Sequence, residues 1–230
     1  VKAIYETGVR IPSICFSGHR RYPLGSNDPV LEEKSLELMK KCIELAQDLG
    51  VRTIQLAGYD VYYEEKSPQT RQRFIKNLRK ACDWAEEAQV VLAIEIMDDP
   101  FINSIEKYLA VEKDIDSPYL FVYPDIGNVS AWHNDVYSEF YLGHHAIAAL
   151  HLKDTYAVTE SSKGQFRDVP FGQGCVKWEE AFDILKQTNY NGPFLIEMWS
   201  ENCETVEETR AAIQEAQAFL YPLIKKAGLM

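Results

Sequence analysis

Residues 90–97 read VVLAIEIM, residues 119–127 YLFVYPDIG, residues 147–154 IAALHLKD and residues 193–199 PFLIEMW. Nearly every position in these runs is apolar, the pattern of parallel strands covered on both faces rather than of half-solvated edge strands. Each run brings a side chain of metal-binding type near its end: Glu95, Asp125, His151 and Glu197. A charged group inside such a strand must be paired, protonated or bound to a cation, because an unpartnered buried charge is costly. Taken alone, each of the four reads as a buried polar residue satisfied by a hydrogen bond. Four at matching strand positions point to one site at the C-terminal mouth of a βα barrel, where such folds keep their chemistry. Three carboxylates and an imidazole suit Mn²⁺, Mg²⁺ or Zn²⁺ better than a thiolate-seeking metal.

Between these runs lie helical patterns. One helix opens at Ser26-Asn27-Asp28-Pro29, where polar capping residues precede a proline, and closes at Gly50. Another opens at Ser67-Pro68, with Phe74, Leu78, Ala81 and Trp84 at helical spacing. Shorter helices follow Ser104 and Asn134, another holds Trp178, Phe182 and Leu185, and the last covers about 204–227. With strands expected near 9–17 and 52–58 as well, the chain alternates strand and helix six times. The fold class is therefore α/β, and site chemistry drawn from four consecutive strands favours a closed (β/α)8 TIM barrel over a doubly wound sheet. Six strands are two short of eight. Because the chain starts at Val1 on what reads as the tail of a helix, the expectation is a single domain over residues 1–230 whose N-terminal quarter is absent.

Composition narrows the function classes. A formal net charge of −11 argues against phosphate-backbone binding, so no nucleic-acid partner is expected. No apolar run approaches the ~20 residues that span a bilayer, and no secretory leader is visible. The five cysteines show no CxxC spacing and read as reduced thiols of a cytoplasmic protein with no membrane partner.

Two further segments invite a substrate. SGHRRYPL at residues 17–24 follows the first strand, so His19, Arg20 or Arg21 could reach a ligand on that face. GQFRDVPFGQG at 164–174 sets two glycines around Phe171 and Gln173, a spacing that can turn backbone N–H groups toward an anion, with Arg167 adding charge. His133, His144 and His145 read as loop or rim residues.

At this level of detail the chain resembles the L-xylulose-5-phosphate 3-epimerases of L-ascorbate and related pentose utilisation, also labelled hexulose-6-phosphate isomerases. The likeness spans the whole chain. It rests on VRIPSIC (9–15), HRRYPLG (19–25), QLAGYDVYY (55–63), EIMD (95–98), YPDIGN (123–128), SAW (130–132), HLKDT (151–155), VPFGQG (169–174) and LIEMWS (195–200). That family has the xylose-isomerase-like barrel. The resemblance implies one divalent metal ion (Zn, Mn or Mg) on Glu95, Asp125, His151 and Glu197, holding O2 and O3 of a phosphorylated ketose and stabilising a cis-enediolate. It implies that Glu95 and Glu197 are the two catalytic acid/bases on opposite faces of C3, interconverting L-xylulose 5-phosphate and L-ribulose 5-phosphate. It also implies substrate or phosphate contacts from His19, Lys153, Arg167, Val169, Phe171, Gly172 and Gly174, and a homodimer. Asn128 stands where epimerases of unphosphorylated ketoses carry histidine, as in the phosphate-specific branch. The stretch 156–163 is longer than usual for the family, and the family's first βα unit and following strand are missing. The alternatives are an aldose–ketose sugar-phosphate isomerase, recognised by an aldose product, and an inactive sugar-phosphate-binding fragment.

Overall fold

Asp28 and Ser67 set where the long helices begin. The computed structural model describes residues 1–230, which form two compact units: Val1–Ile102 with Lys107–Tyr123, and Asn103–Glu106 with Pro124–Met230. In chain order the first half contains α1 (Lys2–Thr7), β1 (Ile14–Phe16), α2 (Pro29–Leu49), β2 (Thr53–Ala57), α3 (Pro68–Ala88), β3 (Val91–Glu95), α4 (Ile105–Ile115) and β4 (Leu120–Tyr123). The Asp28 carboxylate accepts from Val30 N–H at the start of α2, and Gly50 ends that helix at φ 70°, a conformation glycine adopts without Cβ strain. Ser67 and Thr70 form a reciprocal capping box on α3.

In the first unit, β1 to β4 form a parallel sheet in sequence order. Ala57 stands opposite Glu95 in the β2–β3 pair, and Glu95 opposite Tyr123 in the β3–β4 pair. Ile54, Leu56, Leu92, Ile94 and Val122 are buried, as their unbroken apolar runs anticipate. The apolar stripes Met39–Ile43–Ala46 of α2 and Phe74–Leu78–Ala81 of α3 are buried as well. The strand expected over 9–17 shrinks to Ile14–Phe16, and Val9 and Ile11 are exposed. The physical reason is that β1 pairs only with β2, while Pro12 has no N–H to donate to a ladder.

The second unit contains α5 (Ile126–Ala131), α6 (Val136–Gly143), β5 (Leu150–Leu152), β6 (Asp154–Tyr156), β7 (Gln165–Val169), α7 (Trp178–Gln187), β8 (Phe194–Ile196) and α8 (Val206–Ala227). Strands β5 and β8 are parallel neighbours, with His151 opposite Leu195. The last helix starts within two residues of expectation, on the capping box of Thr205 and Glu208. Two features were not anticipated. Residues 119–127 do not stay extended: the strand ends at Tyr123, and Asp125 caps the short helix α5. The connection from His151 to Glu197, where only a helix was expected, also contains an antiparallel hairpin, β6–β7, whose connection closes on a Thr159–Ser162 bridge. Eight short strands thus replace the six expected. The five cysteines form no disulfide, and no helix is long and apolar enough to cross a membrane.

Gly127, in the first turn of α5, has no room for a side chain: a Cβ there would lie 2.6 Å from the Lys153 carbonyl oxygen and 2.8 Å from the Thr155 methyl. Gly127→Ala should therefore push α5 off the β5–β6 backbone. The expected cost is about 1–3 kcal/mol, read as a lower urea midpoint at unchanged slope.

Candidate functional site

Three of the four expected ligands lie together in the second unit. The ligand atoms of Asp125, His151 and Glu197 lie within 4.8 Å of one another. Backbone pairing brings them there. Asp125 and His151 form a parallel bridge, His151 N–H donates to the Pro124 carbonyl at 3.0 Å, and Glu197 N–H donates to the Leu152 carbonyl at 3.0 Å. Asp125 has a second duty. Its Oδ1 accepts from Asn128 N–H at 2.8 Å as the cap of α5, and its Oδ2 faces the cluster. His151 Nδ1 lies 3.8 Å from that oxygen and 3.5 Å from Glu197 Oε2. Lys153 Nζ bridges the same two oxygens at 3.1 and 3.0 Å.

The two carboxyls are unlike in acidity. Burial drives Asp125 well above the ordinary carboxylate range; Lys153 opposes this, while the neighbouring Glu197 charge adds to it. Burial pushes Glu197 up too, but attraction to Lys153 and His151 outweighs it and holds Glu197 below its usual value. The donors fit a divalent cation. Asp125 Oδ2 and Glu197 Oε2 are buried yet receive no hydrogen bond of good geometry, and with an imidazole nitrogen they make an O,O,N set.

Glu95 lies in the first unit, buried at the C-terminal end of β3, where it accepts a short hydrogen bond from Gln55 Nε2 on adjacent β2. Gln55 was not singled out as a functional residue, though a lone amide in the apolar run TIQLA was its signal. The same unit holds His19, whose expected open loop is instead a turn of 3₁₀ helix. His19 is buried, packs edge-on to Phe16 at 4.6 Å, and its Nε2 has no partner. Arg20 stacks over Tyr62 at 5.3 Å. His144 and His145 are exposed, as expected of rim residues, and so is His133.

Burial lowers the His19 pKa from 6.5 to about 3. The unfolded chain therefore binds more protons at this position between those values, and stability should fall as pH drops through that window. The slope from this one group is at most about 1.4 kcal/mol per pH unit. In urea titrations from pH 7 to 4, His19→Phe should flatten that dependence.

The glycines of the expected anion loop already have a partner. The N–H groups of Gly172 and Gly174 do not face open space; they donate to Asp154 Oδ2 at 2.8 and 3.2 Å. Thr155 N–H and Val176 N–H reach Asp154 Oδ1 at 2.9 and 3.3 Å, and Trp178 Nε1 reaches Oδ2 at 3.4 Å. The glycine nest is real, but the protein's own carboxylate fills it. A Cβ on Gly174 would fall on that carboxylate, and Gly172 sits at φ 81° against Phe219. Val169 pairs with Asp154 across the hairpin, and Phe171 packs on Trp178 and Phe219. Asp154→Ala should leave these donors without an acceptor and cost about 3 kcal/mol or more, measured by urea unfolding.

Beside the loop is a cavity of about 510 Å³ lined by Lys153, Val169, Phe171, Glu197 and Trp199, among others. Arg167 stacks over Trp199 at 4.9 Å, and Lys153 Nζ lies 5.4 Å from the same ring. Trp199, like Asp154, stood in a noted motif without an assigned role.

The chain matches the xylose isomerase-like TIM barrel family over residues 1–223. L-ribulose-5-phosphate 3-epimerase UlaE of Escherichia coli O157:H7 is 49% identical over 230 residues, 100% of this chain and 78% of that protein. The SgbU protein of Haemophilus influenzae, provisionally given the same activity, is 51% identical over 229 residues, 100% of this chain and 79% of its own length. Among solved structures, an L-ribulose 3-epimerase superposes with TM-score 0.79 at 18% identity, covering 98% of this chain and 78% of the other, a likeness of fold.

Proposed function

Because this chain belongs to the xylose isomerase-like TIM barrel family, we propose that it is a divalent-metal-dependent 3-epimerase of a pentulose 5-phosphate, interconverting L-ribulose 5-phosphate and L-xylulose 5-phosphate. The observation that carries the reading is whole-chain identity near one half to proteins of that activity, joined to a buried Asp–His–Glu cluster at the ends of the strands. Asp125, His151 and Glu197 would hold the cation, with Glu95 as a fourth ligand on the strength of its place at the end of β3 and of the family. The bound ion supplies a Lewis acid that makes the proton at C3 of the ketose more acidic.

The protein's own groups handle that proton. Glu95, oriented by Gln55, and Glu197 would face opposite sides of C3, one removing the proton and the other returning one to the other face. Two bases allow inversion without turning the substrate over. The Asp154-filled nest changes the phosphate assignment. With the Gly172 and Gly174 N–H groups engaged, the phosphate would fall to the side-chain cations around Trp199, Lys153 at the cavity and Arg167 on the ring beside it. The aldose–ketose alternative uses the same cluster but moves hydrogen between C1 and C2.

The test is NMR of L-ribulose 5-phosphate in D₂O with Mn²⁺, Mg²⁺ or Zn²⁺, with chelated protein as control. The expected result is L-xylulose 5-phosphate with deuterium at C3, lost on chelation. Glu95→Gln and Glu197→Gln should each lower kcat by about 10²–10⁴-fold. Exchange at C1 with an aldose product would replace this reading by the isomerase, and no exchange with metal bound would leave a binding protein.

A further inference from the structure

Glu95 does not stand alone on its strand face. In the β2–β3 pair Gln55 lies opposite Ala93, and Ala57 lies opposite Glu95. Residues two apart on a strand share a face, so these four form a square with the alanines on one diagonal and the long polar chains on the other. The alanines leave room for the amide to reach the carboxylate, and Gln55 Nε2 donates to Glu95 Oε2. Both residues are buried, Gln55 at 4% and Glu95 at 5% exposure. Ile54 and Leu56, on the other face of β2, are buried as well. A parallel strand covered on both faces ordinarily carries an aliphatic residue at such a position, because a buried amide costs stability unless it is bonded.

The two glutamates are held differently. Glu197 Oε2 lies 3.0 Å from the Lys153 ammonium and 3.5 Å from His151 Nδ1. Glu95 is held by a neutral amide, which fixes the direction of the carboxylate while leaving its charge in place. Direction matters when a proton leaves carbon, because a displacement of about 1 Å costs on the order of 10²-fold in rate.

We propose that Gln55 is the positioning residue for one face of the reaction: it aims Glu95 at C3 of the ketose and leaves the transfer made by Glu197 at the opposite face untouched. This rests on the reading of Glu95 and Glu197 as the two acid/bases. In either direction one carboxylate takes the C3 proton, the C–H electron pair passes toward the C2 carbonyl, and the other carboxyl returns a proton to the opposite face. A base that takes the proton, trades it with solvent and returns it to the same face gives exchange without inversion. The two faces are therefore separable by isotope: weakening one base spares exchange of the epimer whose proton faces the other.

The full chain, at a saturating concentration of whichever of Mn²⁺, Mg²⁺ or Zn²⁺ supports epimerisation, would be incubated in D₂O with L-ribulose 5-phosphate and, separately, with L-xylulose 5-phosphate. Deuterium at C3 and epimerisation would be read by NMR after quenching and removal of the ion. Glu95→Gln identifies the epimer whose proton faces Glu95 as the one that loses exchange. Gln55→Met, close in volume but without a donor, should lower kcat by about 10–100-fold at nearly unchanged KM. Exchange of the Glu95-facing epimer should fall by the same factor, while exchange of the other stays within about threefold of the unaltered protein. Gln55→Leu should show the same asymmetry, and urea midpoints report whether each variant is folded. Equal loss of exchange for both epimers overturns the proposal, because a structural defect does not choose a face. So does an unchanged kcat, or a loss confined to the epimer that faces Glu197. Absence of exchange and epimerisation in the unaltered protein fails the epimerase reading itself, without recourse to any variant, and the role of Gln55 with it.

Discussion

Asp125 has two oxygens with two different obligations, and the second unit is organised around that division. One oxygen ends the strand-to-helix passage by accepting the Asn128 N–H, which fixes α5 over the β5–β6 backbone. The other is thereby aimed at His151 and Glu197. The rotamer that caps the helix is the rotamer that turns Oδ2 toward the cluster. A carboxylate held by a backbone N–H is fixed in orientation, so the fold itself pre-organises the cluster. The close fit of Gly127 against the Lys153 carbonyl belongs to the same arrangement.

A second carboxylate, Asp154, does for the cavity wall what Asp125 does for the cluster. It gathers donors from Thr155, Gly172, Gly174, Val176 and Trp178, and so folds the loop after β7 back onto the start of β6. A buried carboxylate needs that many partners to offset its lost hydration. The outcome is a cavity wall in which the Gly172 and Gly174 N–H groups are turned onto Asp154. Around Trp199, which lines the cavity, stand two side-chain cations, Lys153 and Arg167. Adjacent residues of HLKDT thus do separate work: His151 a ligand candidate, Lys153 a counter-ion, Asp154 a loop anchor.

Much of this was legible beforehand. The strands that lead to Glu95, Asp125, His151 and Glu197 could be read from unbroken apolar runs, because burial on both faces leaves no polar alternation. The helix starts at Asp28, Ser67 and Thr205 follow from local capping chemistry, which acts over three or four residues. Two short elements escaped for identifiable reasons. Helix α5 lay hidden because Pro124 and Asp125 sit in a run whose apolar character continues through Ile126. The β6–β7 hairpin was masked by a polar segment with no apolar period, stabilised by pairing with itself rather than by core burial.

The amino-acid sequence by itself determined which residue types arrive at the ends of which strands, since strand period and helix capping are local properties. It also placed the chain among the sugar-phosphate epimerase relatives through long motifs in fixed order. Only the tertiary structure decided which of those groups are already engaged. The glycine N–H groups answer to a carboxylate 18 and 20 residues earlier. Lys153 lies against a glutamate on another strand. A hydrogen-bond donor or an ammonium takes whichever partner the fold brings within 3 Å or so, and that choice leaves no trace in local sequence.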